Sequence, residues 1–162
     1  MEKYIRIMRP DHWIKNLFIL PGTAFAWMLA PPDLPDRLLL FHMLLGFFAT
    51  CLIASSNYVI NEWLDAPFDR YHPVKKHRSV VENDVKKSVV YLLYAVLAAA
   101  GLLLALAVSR PVFYMELWLW IMGILYNVKP FRTKDIPIVD VLTESVNNAI
   151  RLLIGWFLFT SA

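Results

Sequence analysis

The chain is 162 residues long, with 59% hydrophobic and 18% charged side chains and a formal charge of +3. Soluble domains run at about 45–50% apolar and about 25% charged, which sets this chain with membrane proteins instead. A single cysteine, Cys51, excludes a disulfide framework, and the modest charge gives no reason to expect a nucleic-acid partner.

The N-terminal stretch MEKYIRIMRPDHWIKN mixes charges with aromatics and lacks the clean apolar core of a cleavable signal. It predicts an interfacial helix leading into the first span, with Trp13 and Lys15 at headgroup level. Five apolar segments follow: Ile14–Ala30, Leu38–Leu64, Ser88–Val108, Val112–Val128 and Ile136–Phe159. Each approaches the ~20 residues that a helix needs to cross ~30 Å of hydrocarbon. Helices are required, because an open strand would leave backbone groups unpaired in lipid. The expected fold is all-α, a polytopic transmembrane bundle of about five helices forming one membrane domain over residues 1–162. Pro31, Pro32 and Pro35 mark the first turn and Arg110-Pro111 the third.

Basic residues set the orientation. The N-terminal segment and the two long connections carry thirteen Lys and Arg, the two short connections carry only Arg37 and Arg110, and Arg151 stays inside a span. The positive-inside rule therefore places the N-terminus and both long loops in the cytoplasm of a bacterial inner membrane.

The second span ends in SSNYVINEWLDAPFDRYHPVKKHRS, where Asn57, Asn61, Asp65 and Asp69 recur every four residues. On a helix that spacing is a ladder along one slowly drifting face. Carboxylates at a membrane edge are costly without compensation, and a shared Mg²⁺ held by hard oxygens is an economical answer. Pro67 predicts a break near Ala66, which would start Asp69 on a new turn. The basic run with Lys75, Lys76 and Arg78 follows at once, and cations beside carboxylates suit a diphosphate.

In the fifth segment, Asp140, Glu144, Asn147, Asn148 and Arg151 share one helix face, with Arg151 expected to pair with Glu144 or Asn147. Such a face cannot look at lipid and points into the bundle. Tyr126, Lys129, Arg132 and Lys134 stand at the mouth on the side of the aspartates. His42 and Glu116, isolated within spans, read as packing residues.

The stretch NEWLDAPFD resembles the first aspartate-rich motif, N-D-x-x-D-x-x-x-D, of UbiA-type prenyltransferases, with Glu62 in place of the second-position aspartate. The resemblance implies that Asn61, Asp65 and Asp69 are catalytic and hold Mg²⁺. It implies that Lys75, Lys76, Arg78, Tyr126 and Lys129 bind the substrate diphosphate. The cavity face of Asn57, Asp140, Glu144, Asn148 and Arg151 completes the substrate site. The family's chemistry is Mg²⁺-assisted loss of diphosphate from a polyprenyl or phosphoribosyl donor. The opening RPDHWIKNLFILPG and the stretch DAPFDRYHP look more like the branch that transfers phosphoribose to a polyprenyl phosphate, as decaprenyl-phosphate phosphoribosyltransferase does. Polyprenyl transfer to an aromatic acceptor is the alternative. The resemblance also implies about nine helices and a second aspartate-rich motif in a whole enzyme. The expectation is therefore an N-terminal five-helix portion that needs a C-terminal half or a partner chain, or a non-catalytic half-protein. The D-G-x-x-A-R element of CDP-alcohol phosphotransferases is absent, and no internal repeat suggests a transporter.

Overall fold

A computed structural model describes residues 2–29 and 35–160. Among these there is no strand, and the all-α expectation holds. Seven α-helices follow in order: α1 (Glu2–Met8), α2 (Ile19–Leu29), α3 (Asp36–Asp69), α4 (Ser79–Glu82), α5 (Lys87–Val108), α6 (Arg110–Asn127) and α7 (Pro137–Thr160). The helices α3 and α5 are long and apolar enough to cross a membrane. The first turn expected at Pro31 and Pro32 lies outside the described residues, whereas Pro35 immediately precedes α3.

The first expected span is not one α-helix. Arg9 adopts a left-handed backbone (φ 51°), and Pro10–Phe18 forms a 3₁₀ helix before α2 begins. In a 3₁₀ helix, side chains three apart eclipse one another. Trp13 and Asn16 therefore point the same way, onto α3. Trp13 Nε1 donates to Ser55 Oγ at 2.9 Å, and Asn16 Nδ2 donates to Cys51 Sγ at 3.3 Å. Ser55 and Cys51 are themselves one α-helical turn apart, so the two periodicities mesh.

The centre of the bundle is α3, which packs against α5, α6 and α7, while α2 lies along α7. Small residues permit that last approach. A Cβ on Gly22 would meet Leu152 O at 1.9 Å, and one on Gly155 would meet Ile19 O at 2.0 Å. Backbones touching at two glycines is the small-residue packing by which helices associate in lipid. Ile53, Val112, Ile150, Ile154 and Leu158 fill the core between these helices. On α5 the outward face is also apolar, with Leu92, Val96 and Leu103 more than half exposed. A helix apolar all round is what a lipid-facing position requires.

At about 1.5 Å per residue, the 34-residue α3 is about 51 Å long, well beyond a ~30 Å hydrocarbon core. Its C-terminal turns, which carry Asp65 and Asp69, therefore project past the apolar zone. The break expected at Pro67 does not occur. The helix runs through Pro67 to Asp69, so Asp69 continues the ladder. Proline's disruption falls on the last turn only, where few helical bonds remain to lose. The short N-terminal α1 does more than lie at an interface. Its Ile7 is fully buried in a second apolar cluster with Val80, Val85 and Val90. Ser79 Oγ donates to Lys3 O at 3.0 Å, which ties α1 to the loop after α3.

Candidate functional site

The ladder on α3 passes two neighbouring cavities. Asn57 and Asn61 line a small inner chamber of about 100 Å³ between α3, α6 and α7. Asn61, Asp65 and Asp69 line an outer cavity of about 650 Å³ at the end of the bundle. Asn61 and Tyr126 belong to both walls, so the chamber and the mouth lie side by side. The four-residue spacing converts directly into this arrangement, since each step rises about 6 Å and turns only slightly.

Asp65 is the hub of the mouth. Its Oδ1 accepts from Lys134 Nζ at 2.6 Å and from Arg132 Nη2 at 2.9 Å, while Arg78 lies 3.9 Å from Oδ2. Asp69 accepts from Arg78 Nη1 at 2.5 Å. These are charge-assisted bonds between side chains no more than a fifth exposed. Burial pushes the Lys134 ammonium below its usual value, and the Asp65 carboxylate opposes that push. Arg132 and Lys134 were expected only at the mouth. Their placement on Asp65 comes from the left-handed turn at Arg132 (φ 34°), which folds the connection after α6 back over the end of α3.

Asn61 Nδ2 donates to Asn127 Oδ1 at 2.6 Å, and Lys134 Nζ donates to the same oxygen at 3.0 Å. Asn127 in turn donates to Gly123 O at 2.9 Å. The Asn61 amide thereby spends its nitrogen on α6 and keeps its oxygen for the cavity. Tyr126 donates to Asp140 Oδ1 at 2.8 Å, so Asp140 fixes the tyrosine and lines neither cavity itself. Asn57 packs on Gly123, where any Cβ would stand 2.1 Å from its amide, and donates to Leu119 O at 3.3 Å.

The other expected residues divide. Lys75 and Arg78 line the outer cavity, and Glu144, Asn148 and Arg151 line the inner chamber. Lys76 and Lys129 are exposed and line neither. Arg151 does not pair with Glu144. Its Nε donates to Asn16 Oδ1 at 3.1 Å, and its Nη1 donates to Asn147 O at 3.2 Å and Asn148 Oδ1 at 3.4 Å. Asn16, buried at 1% exposure, was not anticipated, because 135 residues separate it from Arg151. Glu62, in the family's second acidic position, turns away from the cavity and accepts from Val80 N–H at 3.1 Å, capping α4. Glu116 is fully buried and bonded to Thr50, in keeping with its reading as a packing residue.

Mg²⁺ commonly binds through one or two carboxylates and is completed by substrate phosphates and water. Among the described residues no three His, Cys, Asp or Glu converge on one point. Two aspartates and the free oxygen of Asn61 share the outer cavity, which is a hard-oxygen set of the right kind. The residues therefore fit a cation whose coordination the substrate completes, and not an all-protein cage.

Residues 19–162 match the UbiA prenyltransferase family. The chain is 28% identical to 4-hydroxybenzoate octaprenyltransferase of Neisseria meningitidis, over 99% of this chain and 56% of that protein. It is 34% identical to decaprenyl-phosphate phosphoribosyltransferase of Mycolicibacterium smegmatis, over 62% of this chain and 31% of the relative. The fold superposes on a UbiA homologue from Archaeoglobus fulgidus bound to DMAPP and Mg²⁺, with a TM-score of 0.81 and 23% identity, covering 99% of this chain and 55% of the other. The chain thus spans about half the length of several relatives it matches. Its family match and its bundle agree: the chain belongs to the UbiA prenyltransferase family.

Proposed function

We propose that this chain supplies the first diphosphate site of a Mg²⁺-dependent UbiA-type transferase acting on a polyprenyl substrate in the bacterial inner membrane, with the N-terminus in the cytoplasm. One observation carries the reading: two aspartates one helical turn apart share a cavity wall with Lys75, Arg78, Arg132 and Lys134. Asp65, Asp69 and Asn61 would hold the metal. Bound there, Mg²⁺ supplies charge neutralisation to the leaving diphosphate. Arg78, Arg132 and Lys134 neutralise both carboxylates in the free protein, and with Lys75 they offer N–H donors to phosphate oxygens. Tyr126, held by Asp140, stands where the mouth meets the inner chamber and orients the donor at the junction.

Transfer of phosphoribose onto a polyprenyl phosphate is the preferred reading. The polar inner chamber supports it, with Asn57, Glu144, Asn148 and Arg151 in its wall. Polyprenyl transfer to an aromatic acceptor is the second reading, supported by the likeness to 4-hydroxybenzoate octaprenyltransferase. Catalysis in either case draws on the remainder of a UbiA-type fold, in a longer chain or in a partner. Thermal melting in detergent, with phosphoribosyl diphosphate or a short prenyl diphosphate and with or without Mg²⁺, tests the proposal. A ligand that binds only the folded state raises the melting temperature by mass action. A Mg²⁺-dependent rise with one donor supports the reading and selects the donor, and no rise with either refutes a self-sufficient diphosphate site.

A further inference from the structure

Arg78, Arg132 and Lys134 are largely buried, and each lies within 4.0 Å of an aspartate oxygen. Arg151 is more buried still, at 9% exposed, yet no carboxylate among the described residues comes that close to it. Glu144 and Glu116 act on it only at longer range. A guanidinium cannot shed its proton to escape burial, so an unpaired one inside a bundle is expensive and functional by default.

The way Arg151 is held shows which of its edges is spare. Nε is committed to Asn16 Oδ1, and Nη1 to Asn147 O and Asn148 Oδ1. Nη2 makes no hydrogen bond to the described residues, and Arg151 stands in the chamber wall. Asn16 is locked in turn. Its Nδ2 donates to Cys51 Sγ, and a guanidinium can only donate, so the Asn16 oxygen must face Arg151. Lys15 lines the same chamber, giving two cations against the single carboxylate of Glu144.

We infer that the inner chamber is a second anion site, distinct from the Asp65–Asp69 mouth, where Arg151 Nη2 receives a phosphate or carboxylate of a substrate and Asn16 is the positioning residue. The inference rests on the diphosphate reading of the mouth, since the neighbouring cavities would hold one charged group each. Either source supplies the same chemistry: the distal phosphate of phosphoribosyl diphosphate, or the carboxylate of an aromatic acid.

Titration calorimetry on the full chain in detergent with Mg²⁺ separates them, using inorganic diphosphate, phosphoribosyl diphosphate and 4-hydroxybenzoate as probes. Tighter binding of phosphoribosyl diphosphate than of inorganic diphosphate assigns the chamber to a phosphate. Binding of 4-hydroxybenzoate assigns it to a carboxylate. In either case Arg151→Gln should weaken that probe at least about tenfold, the scale of a charge-assisted bond, and leave inorganic diphosphate unchanged. Asn16→Ala should weaken the same probe several-fold, and Asn16→Asp, which hands Arg151 a carboxylate and repels an incoming anion, should weaken it further, which keeps the test decisive if Arg151→Gln fails to fold. The inference is overturned if phosphoribosyl diphosphate binds no better than inorganic diphosphate and 4-hydroxybenzoate does not bind, or if Arg151→Gln and Asn16→Ala bind as the parent does. Failure of inorganic diphosphate itself to bind with Mg²⁺ sinks the reading of the mouth, while the 4-hydroxybenzoate arm still decides the chamber.

Discussion

Replacing Asp65 by Asn separates the two tasks assigned to this carboxylate, which are neutralising cations in the free protein and holding the metal with its ligand. In the structure Asp65 faces Lys134 at 2.6 Å and Arg132 at 2.9 Å, with all three side chains less than 15% exposed. Removing one member of a buried ion pair costs about 3–5 kcal/mol, because the other charge is left uncompensated. Asn retains an acceptor oxygen, and the site opens to a cavity, so the expected loss is near the lower end, about 3 kcal/mol. Adding Lys134→Met to Asp65→Asn removes one stranded cation and should restore about 1–2 kcal/mol of it. Ligand binding should not return with that restoration. The assay is denaturant unfolding in detergent for the single and double variants, alongside the Mg²⁺-dependent melting shift with diphosphate ligands. If Asp65→Asn binds as the parent does, the metal assignment is wrong. If the double variant is no more stable than the single one, the ion-pair account of the mouth is wrong.

Three further outcomes follow from other contacts. Glu62→Ala should cost about 1–2 kcal/mol by stripping the acceptor from the Val80 N–H, whereas Glu62→Gln should cost less. Both should keep Mg²⁺-dependent binding, and loss of binding in Glu62→Gln would return this residue to the metal site. Gly22→Ala should lower thermal stability by about 1–3 kcal/mol or more, because the new Cβ collides with the Leu152 backbone. An unchanged melting temperature there would contradict the α2–α7 contact. Burial and then Arg9 hold the His12 imidazole below its ordinary value of 6.5. The unfolded chain therefore takes up that proton first as pH falls. The stability contribution is complete above about pH 6.5 and declines on acidification below it. His12→Gln should flatten that part of the pH–stability curve, and an identical curve would dismiss the assignment.

The polar ladder on α3 was legible in the sequence because its physics is local. Asn57, Asn61, Asp65 and Asp69 lie on one helix, and a fixed rise and turn per residue put them on one face whatever packs against it. The apolar runs behind α3 and α5 were equally legible, since a run of about 20 apolar residues reads as a span without knowledge of its neighbours, whereas α6 and α7 formed as helices without being apolar enough to count as spans on length and composition. The first segment was not, because its division into 3₁₀ and α-helix depends on Trp13 and Asn16 docking onto Ser55 and Cys51 of α3. Pro67 shows the same limit: the local rule predicted a break near Ala66, but the helix carried on to its end two residues past the proline.

Partnerships across the bundle belonged to the tertiary structure alone. Sequence spacing offered Glu144 or Asn147 as partners for Arg151; Asn147 takes part through its carbonyl, and the packing of the N-terminal segment against α7 supplied Asn16 in place of Glu144. Spacing also set Glu62 at the motif's second acidic position, while the path of the chain after α3 placed Val80 N–H within its reach. Charge and period determine which residues cannot face lipid. Which of those residues meet is decided by how closely the helices approach, and that is set by contacts such as Gly22 and Gly155 that no one-dimensional pattern contains.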